Sequence, residues 1–262
     1  MKTRRAVLAS LGFVGVTGAV TWINKNSAFR WLFLMNENSI SNSAYAPLPD
    51  DGSCVVPTSQ VEGPFYFKSP LRSDIREDRK GIQLNLRLAI TQGSGCSPIE
   101  GALVEIWQCD ASGKYSGYPE DSSRDFWKSL NFTGIKGMIG EIHIPPINGK
   151  TFLRGSQITD SNGVVEFVTV FPGWYEPRAP HIHVKAIIDG NRQFDLQYYF
   201  ETDLADEIYS YHQDYSDFGR CPYNVTNDLS LRGKGEAIGV LLKPEWKEND
   251  QLEVEAKINV KS

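Results

Sequence analysis

Ile82-Gln83-Leu84-Asn85-Leu86-Arg87-Leu88-Ala89-Ile90 places a large aliphatic side chain at every second position. Side chains alternate faces along a β-strand, so such a run buries one face and leaves the other for a different environment. The same period recurs at the C-terminal end, where Leu252, Val254, Ala256, Ile258 and Val260 alternate with Glu253, Glu255, Lys257 and Asn259. Shorter β-type runs lie between, at residues 102–107, 164–170, 181–188 and 194–200. Gly93-Ser94-Gly95, Asp160-Ser161-Asn162-Gly163 and Asp189-Gly190-Asn191 separate strands as turns. Many short strands divided by turns predict an all-β chain, a β-sandwich of mostly antiparallel strands with long loops. One short helix is expected over residues 203–215, with Leu204, Ile208 and Tyr211 on one side. Residues 119–150 fit no strand pattern and are expected to form a long excursion that walls an active site.

The bulk numbers limit the function classes. The chain has 262 residues, 40% of them hydrophobic and 23% charged, which is ordinary for a globular protein. A net charge of -5, with no basic cluster beyond the first residues, argues against a nucleic-acid partner. Lys2, Arg4 and Arg5 precede an apolar run over residues 6–23. That pattern is an export signal, and Thr3-Arg4-Arg5-Ala6-Val7-Leu8 resembles the twin-arginine type. The expected organisation is a signal or N-terminal anchor at 1–23, a linker at 24–53 and one β-domain at 54–262. Such a protein is periplasmic or otherwise extracytoplasmic, and touches a membrane only if the N-terminal run is retained as an anchor. Cys54, Cys96, Cys109 and Cys221 are the four cysteines. In an exported chain an even number favours disulfides, with three pairings open, and a buried free thiol is the alternative, above all for Cys109.

The richest stretch chemically is Tyr175-Glu176-Pro177-Arg178-Ala179-Pro180-His181-Ile182-His183. His181 and His183 open a strand two residues apart, so both imidazoles project to one face. That is half of a metal site, and by itself it fits zinc, copper or iron. A phenolate among the ligands shifts the choice towards a hard, highly charged ion such as Fe(III).

Several ordered motifs resemble the intradiol ring-cleavage dioxygenases. The Tyr175 to His183 stretch, opened by Phe171-Pro172-Gly173-Trp174, is one hallmark, and Gly101-Ala102-Leu103-Val104-Glu105-Ile106-Trp107-Gln108-Cys109-Asp110-Ala111-Ser112-Gly113-Lys114-Tyr115 is another. Glu62-Gly63-Pro64-Phe65-Tyr66, Ser73-Asp74-Ile75-Arg76-Glu77-Asp78 and Phe152-Leu153-Arg154-Gly155-Ser156 also match. The likeness runs from residue 54 to residue 210 and is nearest to the exported, protocatechuate 3,4-dioxygenase-like branch. It implies one mononuclear non-haem Fe(III) held by Tyr115, Tyr175, His181 and His183. It also implies catalytic roles for Tyr175, Arg178 and Gln197, and no organic cofactor. The implied reaction cleaves a small aromatic diol with O2, between the hydroxylated carbons, to a muconate-type diacid. Multimers are common in that family, so a homo-oligomer is one open arrangement. Two departures stand out: only five residues separate Tyr175 from His181, and Arg178-Ala179-Pro180 stands where many members have Arg-Pro-x. Two rival readings use the same strands, a non-catalytic β-sandwich ligand-binding module and another His-x-His metalloenzyme. The latter wants a carboxylate or a third histidine, for which Glu176 and His143 are poorly placed.

Overall fold

The computed structural model describes residues 53–119, 131, 142–215, 217, 219–231 and 239–261. The expected signal and all of the linker but Ser53 therefore lie outside the described residues, as does most of the 119–150 excursion. Among the described residues ten strands form two sheets: β1 (Gln83–Gln92), β2 (Ser97–Pro98), β3 (Leu103–Trp107), β4 (Arg154–Ile158), β5 (Val164–Val170), β6 (His181–Ile188), β7 (Arg192–Phe200), β8 (Leu241–Leu242), β9 (Glu245–Lys247) and β10 (Gln251–Val260). One sheet runs β2-β1-β10-β9, with β5 also on β1, and the other runs β4-β3-β6-β7-β8. The predicted sandwich is what forms. Most ladders are antiparallel, but the two longest alternating runs, β1 and β10, pair in parallel from Leu84↔Leu252 to Gln92↔Val260. Period alone cannot reveal strand direction.

The core follows from the alternation. Leu84, Leu86, Leu88 and Ile90 of β1 join Val165 and Phe167 of β5 and Leu252, Val254 and Ile258 of β10 in one buried layer. Val104 and Ile106 of β3, Ile182, Val184 and Ala186 of β6, and Leu196 and Tyr198 of β7 meet it from the second sheet. The opposite face of the second sheet is also covered. His181, His183 and Lys185 are as buried as the aliphatic residues between them. Strand β6 is thus buried on both faces, and its outward side chains must find polar partners within the protein.

A hairpin fixes the register on that outer face. Asp189 and Gly190 both take positive φ, at 53° and 73°, within the three-residue loop Asp189-Gly190-Asn191 that joins β6 to β7 as Ile188 pairs with Arg192. The turn aligns His183 with Gln197 and His181 with Tyr199.

The helix, α1 (Thr202–Tyr211), falls where expected, followed by a 3-10 turn at Gln213–Tyr215. Its buried stripe is Ala205, Ile208 and Tyr209, whereas Tyr211 is 81% exposed. The expected face is corrected for a physical reason: Tyr209 donates its hydroxyl to Pro172 O at 2.9 Å and packs its ring near Phe171, which turns the helix so that Tyr211 points outward. Cys54 and Cys96 form a disulfide, and Cys109 and Cys221 lie outside it. Among the described residues no helix is long and apolar enough to cross a membrane.

Leu86 is buried at the centre of β1, opposite Val254 and Phe167. Leu86→Ala should cost about 2–5 kcal/mol of stability, and Arg87→Ala, whose side chain is exposed on the other face, less than about 0.5 kcal/mol. Urea denaturation of both variants measures the difference; equal losses would mean that β1 has no core face.

Candidate metal centre

Successive residue pairs of the second sheet lay out the site in rows. Trp107 of β3 pairs with Arg154 of β4 on one side and His183 of β6 on the other, and His183 pairs with Gln197 of β7. Two residues further along, the same face carries Ser156, Glu105, Lys185 and Asp195. In the other direction it carries His181 beside Tyr199. One sheet face therefore holds two imidazoles, two guanidinium or ammonium groups and two carboxylates, all buried except the half-buried Asp195.

Two loops bring the phenols. Tyr115 follows a turn after β3 that is organised by Asp110, whose Oδ1 accepts the Ser112 N–H at 2.9 Å and the Lys114 N–H at 3.1 Å. Tyr175 follows β5, and its carbonyl accepts the Arg178 N–H at 2.6 Å. The two loops touch backbone to backbone at Gly113. A Cβ there would lie 2.4 Å from Trp174 O, and its φ of +78° is one that other residues rarely adopt. Arg154 pins the neighbour of Tyr115: its Nε donates to Ser116 Oγ at 2.9 Å and its Nη2 to Ser116 O at 3.2 Å and Phe65 O at 2.7 Å.

The four polar ends converge. Nε2 of His181 lies 3.1 Å from Nε2 of His183, 3.3 Å from Tyr115 Oη and 3.3 Å from Tyr175 Oη, and the two phenol oxygens are 3.5 Å apart. His181 Nδ1 is 2.6 Å from Ala179 O. A carbonyl only accepts, so Nδ1 carries the proton and Nε2 presents a lone pair to the centre. His183 is held by packing instead. Its ring stacks on Trp107 at 4.8 Å and 7°, Gly63 abuts its edge, and Nδ1 is buried with no partner among the described residues. Burial, then the Arg178 charge, holds His181 well below the usual imidazole range; burial, His181 and Arg178 do the same to His183. Burial likewise pushes Tyr115 well above the ordinary phenol value, with Tyr175 adding to it, and lifts Tyr175 to about 12.

The donor set fits a metal ion. Four donors, His181 Nε2 lying 3.1–3.3 Å from the other three and the two phenol oxygens 3.5 Å apart, suit one small cation about 2 Å from each. His143 and Glu176 stand apart from this group: His143 pairs with Glu62, and Glu176 accepts the Tyr223 hydroxyl. Among the described residues no cluster of three or more His, Cys, Asp or Glu side chains offers a different site. Around the donors lie Phe65, Trp107, Cys109 and Tyr118, with Tyr66, Phe67 and Ile144 at the margin. Ile144 belongs to the end of the 119–150 excursion; its N–H donates to Pro64 O at 2.9 Å and its carbonyl accepts the Tyr118 hydroxyl at 2.8 Å.

Arg178 and Gln197 sit together beside the donors. Arg178 Nη2 donates to Gln197 Oε1, to Tyr199 Oη at 3.0 Å and to Ser230 Oγ at 2.9 Å, and Nε faces both oxygens of Asp228 at 3.0 Å. Despite burial, the Asp228 charge holds Arg178 well above its ordinary value. Sequence reasoning finds neither Asp228 nor the Lys185 cluster. Asp228 lies in an irregular stretch with no periodic signal. Lys185 pairs with Glu62 and lies 3.5 Å from Asp195, a partnership visible only once the strand register is known.

The profile of the family described as Dioxygenase matches residues 61–214. The structure is similar to the intradiol ring-cleavage dioxygenase from Tetranychus urticae, with a TM-score of 0.66 and 30% identity over 79% of this chain and 95% of that one. This chain belongs to the intradiol ring-cleavage dioxygenase family, a family of oxidoreductases. It is also 23% identical over 199 residues to chlorocatechol 1,2-dioxygenase of Rhodococcus opacus, covering 66% of this chain and 65% of the relative. With the chlorocatechol 1,2-dioxygenase of Cupriavidus pinatubonensis it shares 25% identity over 150 residues, 55% of this chain and 54% of the relative. The chain thus spans 65% and 54% of the lengths of these two intradiol relatives.

The depressed imidazoles give a pH test on metal-free protein. From the ordinary histidine value of 6.5 downwards the unfolded chain binds protons that folded His181 and His183 refuse. Stability is therefore complete above that pH and falls as pH drops, by up to ~1.4 kcal/mol per pH unit for each imidazole. Urea denaturation between pH of about 7 and about 5 should show a steeper decline for the native chain than for the His181→Gln/His183→Gln variant. Equal slopes would mean the imidazoles are not held neutral.

Proposed function

We propose that this chain is a mononuclear non-haem Fe(III) dioxygenase that cleaves a catechol-type ring between its two hydroxylated carbons, using O2, to a muconate-type diacid. The convergence of Tyr115, Tyr175, His181 and His183 within a chain of this family carries the reading. The relatives named chlorocatechol 1,2-dioxygenase support a small aromatic diol as the substrate class. Bound Fe(III) would supply Lewis acidity that favours phenolate and catecholate over their acids, and an electron-accepting partner that makes the diol reactive towards O2.

The remaining work falls to the chain. Tyr115, His181 and His183 are the fixed donors: one is anchored through Ser116, one through Ala179 and one by Trp107. Tyr175 takes a second part. Its Oη lies within the donor group, and the burial that raises its pKa to about 12 makes it a strong proton acceptor for a substrate hydroxyl once it is a phenolate. Arg178 keeps its charge and is held by Asp228, Gln197 and Tyr199 with Nη1 unengaged among the described residues, which offers one N–H face to negative charge developing on the ring. Gln197 orients that guanidinium and itself donates to Val61 O at 2.8 Å. The aromatic surround keeps water from the reacting atoms and accepts a flat ring.

We place the protein outside the cytoplasm, exported by the twin-arginine-type signal at 1–23. The Cys54–Cys96 disulfide suits an oxidising compartment and supports this.

Iron-loaded protein should be red to purple from phenolate-to-iron charge transfer and should consume O2 with at least one member of a catechol panel. Tyr175→Phe should keep iron and lose most turnover, by about 100-fold or more, whereas His181→Ala should lose iron. Metal analysis, the visible spectrum and O2 uptake decide this. A colourless protein with stoichiometric iron, or a His181→Ala variant with full iron and activity, would sink the assignment.

A further inference from the structure

Asp228 is fully buried, 50 residues beyond Arg178, on the irregular segment 221–231. Six contacts meet on its two oxygens. Arg178 Nε is 3.0 Å from each, the Ala179 N–H donates to Oδ2 at 2.7 Å, and Oδ1 accepts the Ser230 N–H at 2.9 Å, the Ser230 hydroxyl at 2.9 Å and the Tyr199 hydroxyl at 3.4 Å. Ala179 is also the residue whose carbonyl accepts the His181 Nδ1–H at 2.6 Å. A single carboxylate thus holds the group that faces the substrate and, one residue away, the backbone that orients a metal-binding imidazole.

We propose that Asp228 is the positioning residue of this centre, aiming the Arg178 guanidinium and, through Ala179, fixing the His181 ring. The inference rests on the reading of the centre as an iron site. Its physical basis is geometric. A guanidinium held along one edge by a carboxylate keeps its plane fixed and leaves a chosen N–H free. A carbonyl that receives Nδ1–H sets both the tautomer and the direction of the Nε2 lone pair, and partners of metal-binding histidines commonly govern affinity as well as rate. The Asp228 charge also offsets that of Arg178, so the pair adds no net charge to a dry site. The short link from Tyr175 to His181 makes such a brace necessary. Arg178, Ala179 and Pro180 form no regular element, and their backbone is held by Asp228 and by the Arg178 N–H bond to Tyr175 O.

The test is Asp228→Asn in iron-loaded enzyme. Asparagine keeps the size but turns one oxygen into an NH2 that faces donors. Turnover should fall ~10–100-fold and iron should be released to a chelator at ~10-fold lower competing concentration, with the far-UV circular dichroism unchanged. In an Arg178→Ala background the same change should cost little further turnover yet still weaken iron retention, which separates the two arms. A purely structural role would instead lower the folded fraction and leave turnover and iron affinity per folded molecule alone. That result, or values within about twofold of the native enzyme, overturns the proposal. If Asp228→Asn does not fold, Ser230→Ala removes one hydroxyl from Asp228 and from Arg178. It should lower turnover several-fold with iron retained, and unchanged turnover would overturn the proposal equally. Absence of iron binding or O2 uptake in the native chain would count against the iron reading itself, not against Asp228.

Discussion

Strand β6 is covered on both faces, and every other feature of the site answers to that constraint. Its even-numbered residues, Ile182, Val184 and Ala186, join the sandwich core without difficulty. Its odd-numbered residues are His181, His183 and Lys185, which are equally dry. Burying an imidazole or an ammonium group without a partner costs several kcal/mol. Each therefore requires something specific opposite it. Lys185 is met by Glu62 and Asp195 and lies 4.4 Å from the centre of the Tyr66 ring. His181 and His183 turn their Nε2 atoms towards each other and towards two phenols. Such a cluster of facing donors is satisfied most completely by a cation.

The electrostatics follow from the same dryness. Burial favours the neutral form of both imidazoles and both phenols, so these four side chains bring little charge of their own to the centre. Arg178 and Asp228 form an adjacent buried pair, and Glu105 accepts the Tyr66 hydroxyl at 2.7 Å and the Ser69 N–H at 2.8 Å. Arg178 and Lys185 are thus matched by carboxylates, whereas Arg154 and Glu105 are met by neutral partners. The aromatic rings of Phe65, Trp107 and Tyr118 then pack directly against the donor group.

Much of this is legible before any coordinates. The alternation in β1 and β10 reveals the sandwich, the His-x-His spacing reveals the shared face, and the Asp189-Gly190-Asn191 turn separates β6 from β7, while the register that sets Gln197 beside His183 emerges only with the fold. The pairing of Tyr115 with Tyr175 comes from family resemblance rather than from spacing, because loop conformation and not period sets where a phenol points. What the sequence hides is set by contacts between distant segments. Asp228 sits among Asn and Thr residues that read as an ordinary turn. The parallel pairing of β1 with β10 leaves no trace in either run. Tyr211 has helical spacing from Ile208, yet the anchoring of Tyr209 on Pro172 rotates it into solvent. Of four cysteines two are joined and two are not, and only proximity decides which.

The central claim is that one ion is held by two loop phenols and two imidazoles from a single strand face. Anomalous diffraction at the iron edge from crystals of the iron-loaded protein tests it most directly. One strong peak is expected within bonding distance of Tyr115 Oη, Tyr175 Oη, His181 Nε2 and His183 Nε2. A peak at any other group of side chains, or bound iron with either imidazole turned away from it, would contradict the account.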